Sequence, residues 1–497
     1  MPCGAASAPH GQAGFNVSAM TQSKPGSIPE QGSDPDLILK TLKAMKAQDV
    51  PWADGRVFAY IYDPGPQARS LVHQAFDLFL TENGLDPTAF PSALELETDI
   101  ISMAAGLLNG DANVVGNFTS GGTESILLSV KTARDRARVL HPEIRQPELI
   151  LPETAHAAFF KACQYFDVKP VVTAVDPGSY RALPGLIRNA INANTIMLVA
   201  SAPSYAHGVI DPITEIGAIA LEHELLMHVD ACMGGMYLPF AGPDIPAFDF
   251  RVPGVTQISM DFHKWGYAAK GASSILYRSD DLRRYQIFAW SGWTGYSVVN
   301  PTLLSTRGAG PMAACWAILN FLGREGYETM VSACQSASRR IRAAIDEIPA
   351  LHCLGESDCN LFSFASDSLN VFRLAEDMRV RGWYIQPQFG FGPSPANVHL
   401  SVGHGNIAHI EDFIHDLRDS ALAIADSGPV PDAAQLDPGL LELSPERLFD
   451  ELKTIAGTDG RQLPERMDEI NSLLNSLPHE VRDGLLAEFV NRLYARL

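Results

Sequence analysis

Two spacings alternate along this chain, one helical and one typical of buried strands. Leu37, Ile38, Leu42 and Met45 recur at helical intervals, and Pro51 lies beyond them, which predicts a first helix ending before that proline. A second amphipathic run, 71–80, stops near Asn83 and Gly84. From about residue 95 to 280 short apolar runs take over, at 149–151, 171–175, 196–200, 225–229 and 257–260. Helix-length segments such as 180–192 and 214–224 separate them. Continuous apolar strands between helices are the mark of a parallel sheet covered on both faces. A long helical stretch, 311–348, leads into shorter α+β material ending near residue 425. Residues 426–431 read as a linker, and Ser444, Pro445 and Glu446 open a helix with a capping hydroxyl and an early proline. Met467, Ile470, Leu474 and Leu477 give a further amphipathic helix. The pattern divides the chain into an arm (1–34), a helical segment (35–94), a large domain (95–310), a smaller C-terminal domain (311–425) and a linker with a helical tail (426–497).

Charge narrows the classes of partner. With 37 Lys+Arg against 57 Asp+Glu in 497 residues, the net charge is −20. A phosphate backbone or an anionic bilayer needs concentrated cations, and no basic run exists, so nucleic acid is not an expected partner. No stretch approaches the roughly 18 apolar residues of a membrane span. The seven cysteines are scattered without a CxxC pair, which leads us to expect neither a disulfide framework nor a metal site, and a reducing, cytoplasmic setting.

Three elements carry chemistry. Asn117 to Ser125 includes Thr119, Ser120, Gly121, Gly122, Thr123 and Glu124, and runs straight into a helix whose apolar face is Ile126, Val130, Ala133, Ala137 and Leu140. Adjacent glycines let a backbone approach an anion closely, and the hydroxyls flank the first N–H groups, which suits phosphate as well as an ordinary capped helix start. It lacks the Walker Gly-Lys-Ser/Thr and the GxGxxG spacing. Asp230 ends a strand at His228-Val229-Asp230-Ala231-Cys232, where α/β folds place ligands. Lys264 lies in Asp261-Phe262-His263-Lys264-Trp265, between His263 and aromatics, 34 residues after Asp230. A cradle for phosphate, a carboxylate for a pyridine nitrogen and an amine for an aldehyde are the parts that hold pyridoxal phosphate.

With these blocks, and with the 155–159 segment, Ser201-Ala202-Pro203, the 207–212 segment and the 261–271 segment, the chain resembles the pyridoxal-phosphate-dependent decarboxylases, and within them the sphingosine-1-phosphate lyases, from about residue 50 to 425. The resemblance implies an α/β fold of type I, with a mostly parallel sheet in the large domain and a smaller α+β domain. It implies that Lys264 forms the Schiff base, that Asp230 pairs with the ring nitrogen, and that His156 stacks on the ring. Ser120, Gly121, Gly122, Thr123 and His263 would contact the cofactor phosphate, and Ser201 the ring side. Lys270, Asp86, Tyr205, His207 and Tyr296 are the candidates nearest the substrate. Arg307 and Gly308 match a loop that reaches the neighbouring subunit's cofactor, which implies a homodimer with shared sites.

Two departures from the family pattern fall on the substrate side: Asp86 and Thr88 stand where His and Asp are usual, and Val298 stands where a tyrosine is usual, unless Tyr296 supplies it after a local shift. The expected activity is Cα–Cβ cleavage of a β-hydroxy amine to an aldehyde, with amino-acid decarboxylation as the alternative and transamination more distant. Its substrate would be a small amine or amino acid.

Overall fold

The apolar runs pair into a seven-stranded sheet in the computed structural model, which describes residues 27–425, 443–456 and 467–495. Its strands are β1 (Val115–Thr119), β2 (Glu148–Pro152), β3 (Lys169–Thr173), β4 (Thr195–Ser201), β5 (Leu226–Asp230), β6 (Gln257–Asp261) and β7 (Ser273–Tyr277), in the order β1-β7-β6-β5-β4-β2-β3. The inner pairs run parallel, while β7 is antiparallel to both β1 and β6. Strands β4 to β7 are buried along their whole length, as their continuous apolar runs require.

The helix Gly122–Leu140 lies over β6 and β7 and buries Ile126, Val130, Ala133 and Ala137. Leu140, at its last turn, is exposed. Polar residues on the same helix, Ser125, Ser129 and Thr132, are also buried, and each finds a hydrogen-bond partner on the sheet.

After the hairpin of β8 (Phe288–Trp290) and β9 (Val298–Asn300), the long helix Gly310–Asp346 breaks once, at Gly323 (φ 55°). Beyond it β10 (His352–Leu354), β11 (Leu361–Ala365), β12 (Gln386–Gln388) and β13 (Asn397–Ser401) form an antiparallel sheet in the order β10-β11-β13-β12.

Some boundaries differ from the sequence expectation for local reasons. The segment 180–192 is helical only over Pro184–Ala190, because Tyr180 takes a positive φ and Ala182 pairs with Val175. Val175 is thereby drawn out of β3. Residues 56–58, expected among helices, instead join the small sheet. Phe58 N–H donates to Tyr384 O (2.9 Å), Tyr384 N–H to Arg56 O (2.9 Å) and Ser401 N–H to Phe58 O (2.8 Å). The fully buried Phe58 ring packs 4.5 Å from Phe413 and 6.1 Å from Trp383.

Among the described residues, 53–425 with 467–475 form one compact unit. The short helix there is held where Asn370 Nδ2 donates to Ser472 Oγ (3.0 Å) and Gly390 N–H to Asn475 Oδ1 (2.7 Å). A second unit gathers, among the described residues, 27–52 with 443–456 and 476–495. In it the helices Pro445–Ala456 and His479–Tyr494 pack together, with Arg492 paired to Asp450 and Glu488. The arm up to residue 26 and the linker 426–431 lie outside the described residues.

The turn between β4 and the small sheet depends on Gly208 (φ 69°), where an added Cβ would lie 1.9 Å from Leu361 O. Gly208→Ala is therefore expected to cost at least about 2 kcal/mol in urea unfolding, since both backbone and contact are violated.

Candidate active site

Four strand ends converge on one cavity. Ser201 ends β4, Asp230 ends β5, Asp261 ends β6 and Thr119 ends β1. The parallel register sets Ser201 beside Asp230, while Ser273 of β7 lies opposite both Asp261 and Thr119. This is the carboxyl edge at which open α/β sheets present ligands. Three residues after Asp261 a tight turn carries Lys264 back over that edge. The turn requires Gly266, where a Cβ would lie 2.5 Å from Phe262 O.

The cavity measures about 350 Å³. Nine residues expected from the sequence line it: Ser120, Gly121, Gly122, Thr123, His156, Ser201, Asp230, His263 and Lys264. Tyr205 lines it as well. At one end the helix Gly122–Leu140 begins with no capping side chain at Gly121, which leaves its first N–H groups for a ligand. Glu124 instead closes the loop on itself, accepting from Ser120 N–H (2.6 Å) and Ser120 Oγ (2.7 Å). At the other end Asp230 Oδ1 accepts from Cys232 N–H (3.0 Å) and Ser259 Oγ (3.3 Å).

Lys264 Nζ lies 2.9 Å from Asp261 Oδ2. Asp261 is 1% exposed, and its Oδ1 has no partner. Burial works against the Lys264 ammonium, but the Asp261 charge outweighs it and holds the amine above its usual range. Burial likewise works against the Asp261 carboxylate, and Lys264 and His263 keep it below its usual range. His263, with Nε2 3.6 Å from Asp261 Oδ2, is lowered by burial.

The substrate-side candidates separate. Lys270 Nζ donates to Tyr60 O (2.8 Å) and sits 5.0 Å from the Tyr62 ring. Burial and the nearby Lys264 charge bring the Lys270 amine down to about 8. Tyr205 donates to Gln386 Oε1 (2.7 Å) and stacks on His399. His207 does not reach the cavity lining. Its ring stacks 3.9 Å from Tyr180, its Nε2 meets Ser394 Oγ (3.0 Å), and burial lowers it to about 4.

Asp86, Tyr296 and Arg307 line a different cavity, of about 1160 Å³. There the Asp86 carboxylate is held by Thr88, from both its N–H (2.9 Å) and its hydroxyl (2.6 Å). Arg307 is paired with the buried Glu97 (2.9 Å), and Gly308 bridges to Asn83.

Sequence reasoning missed three groups. Asp261 carries no expected role in the sequence, although its place three residues before Lys264 is a signal. Tyr62, raised to about 12 by burial, packs edge-on to Trp265 at 4.8 Å and has no local signature. Asp211, pushed up to about 6 by burial, pins the end of β4 by accepting from Ser201 N–H and Ala182 N–H, both at 2.8 Å.

Residues 18–366 match the family model described as the pyridoxal-dependent decarboxylase conserved domain. The chain belongs to that family. Residues 429–492 match a second model, the C-terminal putative HTH domain of pyridoxal-dependent enzymes. Sphingosine-1-phosphate lyase of Oryza sativa subsp. japonica is 38% identical over 405 residues, covering 79% of this chain and 74% of that one. A probable L-aspartate decarboxylase of Thermococcus gammatolerans is 31% identical over 400 residues, covering 79% and 99%. Among solved structures, sphingosine-1-phosphate lyase of Burkholderia pseudomallei K96243 superposes with a TM-score of 0.78 at 35% identity, covering 83% of this chain and 96% of that one.

The chain is a pyridoxal-phosphate-dependent lyase. Its cavity fits that cofactor on its own evidence. At Gly122 a Cβ would lie 2.7 Å from Cys232 Sγ and 3.0 Å from both Asp261 oxygens, so only glycine keeps the cradle open. Helix N–H groups face one end, a carboxylate faces the other, and an amine reaches between them. Among the described residues no helix is long and apolar enough to cross a membrane, and no cluster of side chains suits a metal ion.

Asp261→Asn removes the anion that keeps Lys264 protonated. The pH of half-maximal capture of pyridoxal phosphate by the apoenzyme, read as borohydride-reducible adduct, is expected to fall by about one pH unit or more. An unchanged profile would show that the ion pair does not govern the amine.

Proposed function

We propose that the chain cleaves the Cα–Cβ bond of a β-hydroxy amine and releases an aldehyde. The observation that carries this reading is the pairing of the Lys264 cavity with 35–38% identity to sphingosine-1-phosphate lyases over most of the chain. When bound, the cofactor supplies an aldehyde for the substrate amine and a ring that accepts the electron pair of the broken bond. Lys264 would hold the cofactor through its amine. Asp230 would pair with the ring nitrogen, and His156, which lines the cavity, would stack on the ring. The 120–123 turn and His263 hold the phosphate, and Ser201 steadies the ring side. Lys270, an exposed side chain 5.0 Å from the Tyr62 ring whose amine is brought down to about 8, offers a neutral fraction that grows as the pH rises toward 8 and can take the β-hydroxyl proton.

A second reading, amino-acid decarboxylation, is favoured by Asp86 and Val298. The Asp86 carboxylate is spent on Thr88 in a turn, so that segment offers no cation to an anionic headgroup. A phosphorylated sphingoid base and a panel of amino acids, incubated with the holoenzyme, separate the readings. Aldehyde release supports the first and carbon dioxide release the second, while transfer of the amino group to a keto acid overturns both. Lys264→Ala is expected to lose at least about a thousandfold in either activity, together with the visible absorbance.

The site is completed by a second copy of the chain. The segment around β8 and β9 exposes Phe288 (50%), Trp290 (57%), Trp293 (49%), Tyr296 (63%) and Leu304 (52%), and Tyr296 also lines the larger cavity. Sedimentation is expected to give twice the 53.8 kDa chain mass, and Trp290→Asp to lower it toward one chain.

A further inference from the structure

Two strand residues and one helix residue stand behind Asp230, and none of them touches the cavity. His228 lies two residues before Asp230, on the same face of β5, and is fully buried. Its Nε2 is 3.0 Å from Ser259 Oγ, and its Nδ1 is 2.8 Å from Ser129 Oγ. Ser259, the register partner of Asp230 on β6, places the same Oγ 3.3 Å from Asp230 Oδ1. Cys232 Sγ is a third neighbour of that hydroxyl, at 3.4 Å.

With Ser259 O–H given to Asp230, one assignment of protons satisfies both imidazole nitrogens, the Ser129 hydroxyl turning from Met197 Sδ (3.8 Å) to the nearer Nδ1. Ser129 O–H donates to Nδ1, Nε2–H donates to Ser259 Oγ, and Ser259 O–H donates to Asp230. His228 must be neutral for this. Burial holds its imidazole at about 4, against the pull of Asp230. With its lone pairs occupied by Nε2–H and the Cys232 thiol, the Ser259 hydroxyl has one remaining direction for its proton, toward the carboxylate.

We propose that Ser129, His228 and Ser259 form a one-way relay of hydrogen bonds that aims a donor at Asp230 Oδ1 and leaves Oδ2 for the cofactor's ring nitrogen, so that the shared proton stays on that nitrogen. The inference rests on the assignment of Asp230 to that nitrogen. Its physical content is that two donors, Cys232 N–H and Ser259 O–H, stabilise Oδ1 as an anion and leave Oδ2 for the ring. Loss of one donor makes the carboxylate more basic, and the proton moves from the ring toward Asp230. The ring is then a weaker acceptor of electrons. His228 and Ser129 act only through Ser259 and are positioning residues.

The test loads apoenzyme with pyridoxal phosphate carrying a nitrogen-15 label in the ring, and reads both the ring-nitrogen shift and the dissociation constant. Ser259→Ala and His228→Leu are expected to move the shift toward the unprotonated value and to weaken binding about tenfold, the worth of a hydrogen bond to a charged group. His228→Gln, whose amide retains a donor toward Ser259, restores most of both. Ser129→Ala, the mildest change, shifts the nitrogen in the same direction by less.

Wild-type shifts in Ser259→Ala and Ser129→Ala overturn the relay. So does a loss in His228→Leu that His228→Gln leaves unrepaired, because that marks packing alone. Should His228→Leu fail to fold, Ser259→Ala and Ser129→Ala decide the matter. Asp230→Asn is the benchmark. If it leaves the shift unchanged, the assignment of Asp230 itself fails; if it alone moves the shift, only the relay does.

Discussion

A buried carboxylate is tolerable only beside a cation, and the site is organised around that constraint. Isolated, the buried Asp261 would be pushed strongly toward its neutral form by loss of hydration, and the partly buried Lys264 more weakly. At 2.9 Å each restores the charge of the other, at the floor of a cavity wide enough for a flat ring with a phosphate. The pair stands at the end of β6, so the sheet register that aligns β4, β5 and β6 also determines how far the amine lies from Asp230. Such a pair adds little to net stability, since the desolvation it offsets is of similar size. Its value lies in where it keeps an amine.

The neighbouring strand ends are held by the same economy of buried polar groups. Asp211 ties the end of β4 through two backbone N–H groups. Thr119, Ser125 and Ser273 link β1, the 122–140 helix and β7 through 2.7 and 2.9 Å contacts. The helix above the sheet therefore carries hydroxyls at 125, 129 and 132 on a face otherwise apolar, each matched to a partner below. A phosphate cradle needs a helix start that does not shift, and these matched groups fix it.

Much of this was legible because it is local. The strands at 149–151, 196–200 and 225–229 are apolar on both sides and bounded by turns, and the 120–123 loop, Asp230 and Lys264 each sit within a short motif. The relations that were not legible cross large stretches of sequence. Nothing near Phe58 announces that Tyr384 and Ser401 will bond to its backbone, and nothing near Tyr62 announces Trp265. His207 was a candidate through the family resemblance of its segment, yet its ring is spent on Tyr180 and Ser394. Arg307 looked free to reach outward, while Glu97, 210 residues earlier, holds its guanidinium. The short helix at 184–190 shows the same limit in miniature, since a single left-handed residue, Tyr180, outweighs a helix-length apolar pattern.

The stitch made by residues 56–58 has a mechanical side. Three main-chain bonds fasten it to the small antiparallel sheet, and two residues further on the carbonyl of Tyr60 grips Lys270. The strap is too short to absorb a swing of that sheet by uncoiling. A displacement of the small sheet would therefore be passed along the strap to the Lys270 ammonium, so the posture of that sheet and the reach of the cation are linked.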